Sequence, residues 1–124
     1  MPTPLLTILI VGYLLTITLE TTVLWWGLSP KHPPRRRLFA GVWLTACTYP
    51  IVILVIPAMF DLATERGWYL LVAEIFAPLA ECILFHVMFT ANRRDLIAIV
   101  LANLVSFGVG EILNASQFWE MVLG

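Results

Sequence analysis

Four long stretches almost free of charge, at residues 4–26, 38–60, 68–91 and 96–113, set the terms on which this chain can fold. Each is close to the ~20 residues that a helix needs to cross a ~30 Å hydrocarbon core at ~1.5 Å per residue. Backbone N–H and C=O groups in hydrocarbon must satisfy one another, which leaves only helices and closed barrels as spanning structures. Barrel strands are shorter and alternate in polarity, and these runs do neither. The pattern therefore predicts an all-α polytopic membrane protein, a single transmembrane domain over 1–124 built as a four-helix bundle. Composition agrees, with 60% of residues hydrophobic and 12% charged where soluble domains carry about a quarter charged. The few charges are clustered around a formal net charge of -1, so nucleic acid is not an expected partner. The opening Met1-Pro2-Thr3-Pro4 has no basic region, and no small-residue cleavage site precedes Trp25 and Trp26. The first run is accordingly expected to remain in the mature protein.

Charge placement orients the bundle. Lys31, Arg35, Arg36 and Arg37 fall in the connection at 27–37, and Arg93 and Arg94 in the connection at 92–95, so six of the seven bases lie at one end. The opposite connection, 61–67, carries Asp61, Glu65 and the single base Arg66. The positive-inside rule then makes the basic connections cytoplasmic and puts both termini outside, in what is expected to be a prokaryotic plasma membrane. Trp25, Trp26 and Trp68 stand at span ends, where indole rings favour the headgroup zone, and Phe118 and Trp119 are expected to anchor an interfacial tail over 115–124. Pro33-Pro34 is expected to stiffen the first basic loop and to keep helix out of it.

The two halves share an order of features. Leu19-Glu20, an apolar run, Arg35-Arg36-Arg37 and Thr45-Ala46-Cys47-Thr48-Tyr49-Pro50 are followed by Ala80-Glu81, an apolar run, Arg93-Arg94 and Asn103-Leu104-Val105-Ser106-Phe107-Gly108. Thr45 aligns with Asn103, Thr48 with Ser106, Tyr49 with Phe107 and Pro50 with Gly108 at one offset. This reads as a duplicated hairpin, repeat 1 over about 4–60 and repeat 2 over about 68–114, with both copies entering the membrane in the same direction. The duplicated order of Glu, Arg-Arg and Asn-x-x-Ser resembles a group of small uncharacterised four-span prokaryotic integral membrane proteins. That resemblance implies a membrane location and no activity, and Thr45 departs from the Asn that the motif has at Asn103.

Polar residues within the spans are the candidates for function. An ionisable group near mid-bilayer costs on the order of 3 kcal/mol or more when charged, so it needs a partner, a wet cavity or a proton. Counting from the basic end, Glu20 lies roughly 10 Å and Glu81 roughly 15 Å deep. Thr45, Thr48, Asn103 and Ser106 fall at similar depths, so polar groups from all four helices are expected to meet in one layer. Glu74 precedes Glu81 by seven residues on the same face, and Glu111 sits further along the last span; both are expected nearer the outer mouth. Gly108 and Gly110 are expected to permit close helix approach, and the carbonyls freed by Pro50 and Pro57 to take donors from carboxyl, Asn or Ser side chains.

No nucleophile triad, phosphate loop or dinucleotide motif is present in the sequence. Cys82 and His86 share a helix face beside Glu81, but a metal needs three or four convergent ligands, so neither a metal nor a cofactor is expected. Cys47 and Cys82 lie inside apolar runs and read as buried hydrophobes. Two functions lead, ahead of an intramembrane enzyme acting on a lipid, for which the sequence offers an acid but no evident base. One is a small transporter or channel-like component moving a cation or protons past Glu20 and Glu81, completed by homo-oligomerisation or a partner membrane subunit. The other is a non-catalytic accessory or lipid-binding scaffold, in which the polar layer is only interhelical glue.

Overall fold

A computed structural model describes residues 4–115 and 120–121, and the expected interfacial anchors Phe118 and Trp119 lie outside them. Four helices dominate: α1 Pro4–Gly27, α2 Pro34–Pro50, α3 Arg66–Phe89 and α4 Arg93–Ala115. A π-helical turn, Ile51–Val55, and a 3-10 turn, Pro57–Met59, prolong α2. With that extension every helix is long and apolar enough to cross a membrane, and no strand occurs among the described residues.

Residue spacing explains which way each helix faces. On α3, Leu71, Ile75, Leu79, Ile83 and Val87 form an exposed stripe at every fourth position, while Ala73, Glu81 and Phe85 are buried. On α1, Leu6, Ile10 and Leu14 are exposed and Glu20 and Leu24 are buried, again in steps of four, with Leu28 buried just past the helix end. On these two helices the outward stripes are apolar and the carboxyls of Glu20 and Glu81 are turned inward, the arrangement that lipid as solvent demands.

The helices form a ring in which α1 packs on α2 and α4, and α3 packs on α4 and α2. The closest approaches are set by Gly41, where an added Cβ would run into Thr21, and by Gly27, where it would come within 2.9 Å of the Ala98 Cβ. These two glycines let α1 nest against α2 and α4. Gly108 and Gly110 do not serve this purpose: a Cβ at either would meet nothing within 4 Å, because that stretch of α4 borders open space.

The helix ends also differ from the sequence reading in an instructive way. Pro34 occupies the first turn of α2, where its missing N–H is no loss, so Arg35, Arg36 and Arg37 belong to the helix instead of the loop. Near the other end of this span, Pro50 cannot donate to the carbonyl four residues back, and the helix widens after it. Ile56 N then bonds Ile51 O at 2.9 Å, leaving the Val52 carbonyl to the Tyr69 hydroxyl at 2.8 Å. The donor here is thus a tyrosine from α3, not a carboxyl, Asn or Ser side chain.

The apolar core, comprising Leu24, Leu28, Ala40, Leu44, Phe85, Ala98, Ile99 and Ala102, gathers at the basic end. It fills the ring there and leaves the other half of the bundle hollow.

Candidate functional site: a paired-carboxylate cavity closed at one end

The hollow half holds a cavity of about 350 Å³ bordered by all four helices. Glu20 from α1 and Glu81 from α3 line it, and both residues are almost wholly buried, with 3% and 2% of their surface exposed. Their carboxyl groups are close enough to interact electrostatically.

Small polar side chains from the two remaining helices hold the pair. The Thr45 hydroxyl lies 3.2 Å from Glu20 Oε2 and 2.8 Å from the Gly41 carbonyl. The Thr48 hydroxyl lies 2.7 Å from Glu81 Oε2 and 3.0 Å from the Leu44 carbonyl. Asn103 Nδ2 donates to Glu81 Oε1 at 3.3 Å and to the Ile99 carbonyl at 2.9 Å. Each of these side chains is thereby tied to its own helix one turn back, which fixes its rotamer and aims it at the carboxylates. Ser106 lines the same cavity without a hydrogen bond to either glutamate. Glu20 Oε1 is buried and receives no hydrogen bond from a protein donor.

Two like charges this close in a buried site repel strongly, and isolated buried charge is far costlier than a neutral or paired one. Positive charge between the pair's oxygens, either a proton or a cation, relieves that repulsion. No lysine or arginine supplies it: Arg66, the one base lining the cavity, is bound to Glu111.

A line of acids leads away from the pair. Glu74 stands two turns from Glu81 on the same face of α3, about 10 Å away, and borders the cavity with one buried oxygen unpartnered. Glu111 of α4 is the next, and both its oxygens lie 3.0 Å from Arg66 Nη2 in a half-exposed ion pair at the cavity's outer end. All eight polar residues singled out in the sequence, Glu20, Thr45, Thr48, Glu74, Glu81, Asn103, Ser106 and Glu111, thus border one cavity. Five of them are engaged in hydrogen bonds within the layer, Thr45 with Glu20, and Thr48 and Asn103 with Glu81.

The basic end is closed by a cluster that sequence reasoning missed. Asp95, with none of its surface exposed, accepts from Ser29 N at 2.8 Å, His32 Nε2 at 2.8 Å and Asn92 N at 3.0 Å. Asn92 Oδ1 in turn accepts from Asp95 N at 2.9 Å, a reciprocal cap on the first turn of α4. Arg36 can only donate, so His32 accepts at Nδ1, 3.2 Å from Arg36 Nη1, and donates from Nε2. The imidazole also packs edge-on against Phe85 at 5.0 Å.

The neighbouring bases serve as helix caps. Arg37 reaches the carbonyls of Trp25, Ser29 and His32, Arg94 reaches that of Gly27, and Lys31 reaches that of Thr90. They satisfy carbonyls left over at the C-termini of α1 and α3 and complement the negative ends of those helix dipoles. The spacing Asn92-x-x-Asp95 is a sequence signal from which the cap at the start of α4 can be found.

Cys82 and His86 do not build a site. His86 is exposed and accepts from Ala91 N, both cysteines are free and only partly buried, and no three metal-ligating side chains converge among the described residues. Compared with protein-family models, curated proteins and solved structures, the chain matches none.

Proposed function

We propose that this protein is a small cation- or proton-translocating membrane component whose exchange site is the Glu20–Glu81 pair. The observation that carries this reading is the placement of two buried, mutually facing carboxyls on a cavity that is open at one end and plugged at the other. Interhelical glue needs neither a second carboxylate nor 350 Å³ of space beside it. A pair whose repulsion a proton or a cation relieves, connected by Glu74 and Glu111 to the mouth, is suited to taking up one and releasing the other.

Orientation follows from the bases. In this reading the plugged end, with Lys31, Arg35, Arg36, Arg37, Arg93 and Arg94, faces the cytoplasm of a prokaryotic cell, and the cavity faces outward. Duplication of a hairpin accounts for the matched contacts Thr45 to Glu20 in the first half and Asn103 to Glu81 in the second. Passage through the basic end requires the plug to open or a second copy or partner subunit to complete the path. Vesicles containing the purified protein provide the test: potential-driven proton flux should depend on both carboxylates and vanish in the double variant E20Q/E81Q. Flux that survives both substitutions refutes the reading.

A further inference from the structure

Resting on that reading of the glutamate pair, we infer that the cavity is shaped for an amphipathic organic monocation, a protonated amine with an aromatic or branched apolar body, rather than for a bare metal ion. Volume is the first reason. A dehydrated ion occupies a small fraction of 350 Å³, whereas pockets that enclose small organic ligands begin at about 300 Å³.

The second reason is the wall. Beyond the polar layer the cavity is bordered by Leu15, Leu19, Val52, Leu70 and Phe107, with the Tyr49 ring among them. A metal ion would gain nothing from the four aliphatic side chains and the Phe107 ring, which bring no oxygen toward it. An apolar ligand body gains burial against them, and an aromatic wall attracts a cationic head.

The third reason is at the polar layer. Glu20 Oε1 is buried on the cavity and lacks a donor, while Glu81 is already served by Thr48 and Asn103. An ammonium group brings up to three N–H donors and a positive charge. It can therefore satisfy the orphan oxygen and bridge the two carboxyls at once. A lipid acyl chain would place a methyl group against that oxygen and leave it unpaired. A phosphoethanolamine headgroup carries the same ammonium, but its phosphate would lie toward Glu74, whose carboxyl offers it no counter-charge, and Arg66 beyond is already paired with Glu111.

Calorimetric titration of the full chain in detergent micelles at fixed pH tests the assignment with phenethylammonium, its neutral counterpart 2-phenylethanol, and sodium ion. Saturable binding of phenethylammonium is expected, with 2-phenylethanol weaker by about tenfold or more, since a charge-assisted hydrogen bond is lost. Sodium should not match the amine, and E20Q/E81Q should weaken the amine by about tenfold or more.

Equal binding of the alcohol would overturn the assignment in favour of a generic apolar pocket. Tighter binding of sodium would overturn it in favour of an inorganic ion. Because these comparisons are made on the wild-type chain, they stand even if the double variant fails to fold. An amine that fails to bind a protein whose vesicle flux still needs both glutamates would remove this inference and leave the proposed function in place.

Discussion

Replacement of Asp95 by alanine is the most severe single-residue perturbation of stability expected here, and the expectation rests on counting donors. The carboxylate receives Ser29 N, His32 Nε2 and Asn92 N, and it is fully buried. Asn92 is exposed, so water can replace its bond. Ser29 and His32 are buried and have no such substitute. An orphaned buried donor costs about 1–3 kcal/mol, so two give roughly 2–6 kcal/mol.

Asp95→Asn keeps one acceptor oxygen but turns an amide N–H toward a second donor, which lowers the expected loss to about 1–3 kcal/mol. Unfolding in mixed micelles by titration with a denaturing detergent, followed by tryptophan fluorescence, should rank wild type above Asp95→Asn and Asp95→Asn above Asp95→Ala. An Asp95→Ala variant within about 0.5 kcal/mol of wild type, the range of ordinary surface substitutions, would refute the claim that this cluster holds the basic end together.

Two glycines on different helices should respond with opposite signs. Gly41→Ala places a methyl against Thr21 and should destabilise by about 1–3 kcal/mol, as overpacking does. Gly110→Ala meets open space and should be neutral or stabilising by up to about 1 kcal/mol from helix propensity. The same unfolding assay distinguishes them, and equal effects would contradict the helix packing described. Thr48→Val removes the hydroxyl 2.7 Å from Glu81 and should lose about 0.6–2 kcal/mol, the range for a hydrogen bond between membrane helices; no measurable change would mean that Thr48 does not hold the carboxylate.

The helices and the identity of the cavity's polar residues were legible in the sequence because both depend on local pattern. A run of about 20 apolar residues has one physical solution in lipid. The seven-residue step from Glu74 to Glu81 and the three-residue step from Asn103 to Ser106 determine a shared face once the run is helical. Partner choice was less accessible. Thr48 bonds Glu81 of the other half and not Glu20 of its own, a consequence of how the ring of helices closes.

The His32–Asp95 pair joins residues 63 positions apart. His32 stood among bases and prolines that read as loop, and its burial arises only when α1, α3 and α4 meet. Charge usually marks a loop, which places Arg35, Arg36 and Arg37 in one, whereas a proline at the first helical position lets the helix start before them. Gly108 and Gly110 resembled packing glycines by composition, but the hollow beside them depends on the whole bundle.

The central claim is that Glu20 and Glu81 act together as one exchange site, and proton flux into vesicles under an imposed membrane potential tests it most directly. The wild-type chain should carry flux, and E20Q and E81Q should each abolish it as completely as E20Q/E81Q does, because one remaining carboxyl no longer forms the pair. Flux in the double variant equal to that of wild type, with the variant shown to be folded by its helical circular dichroism, would contradict the account.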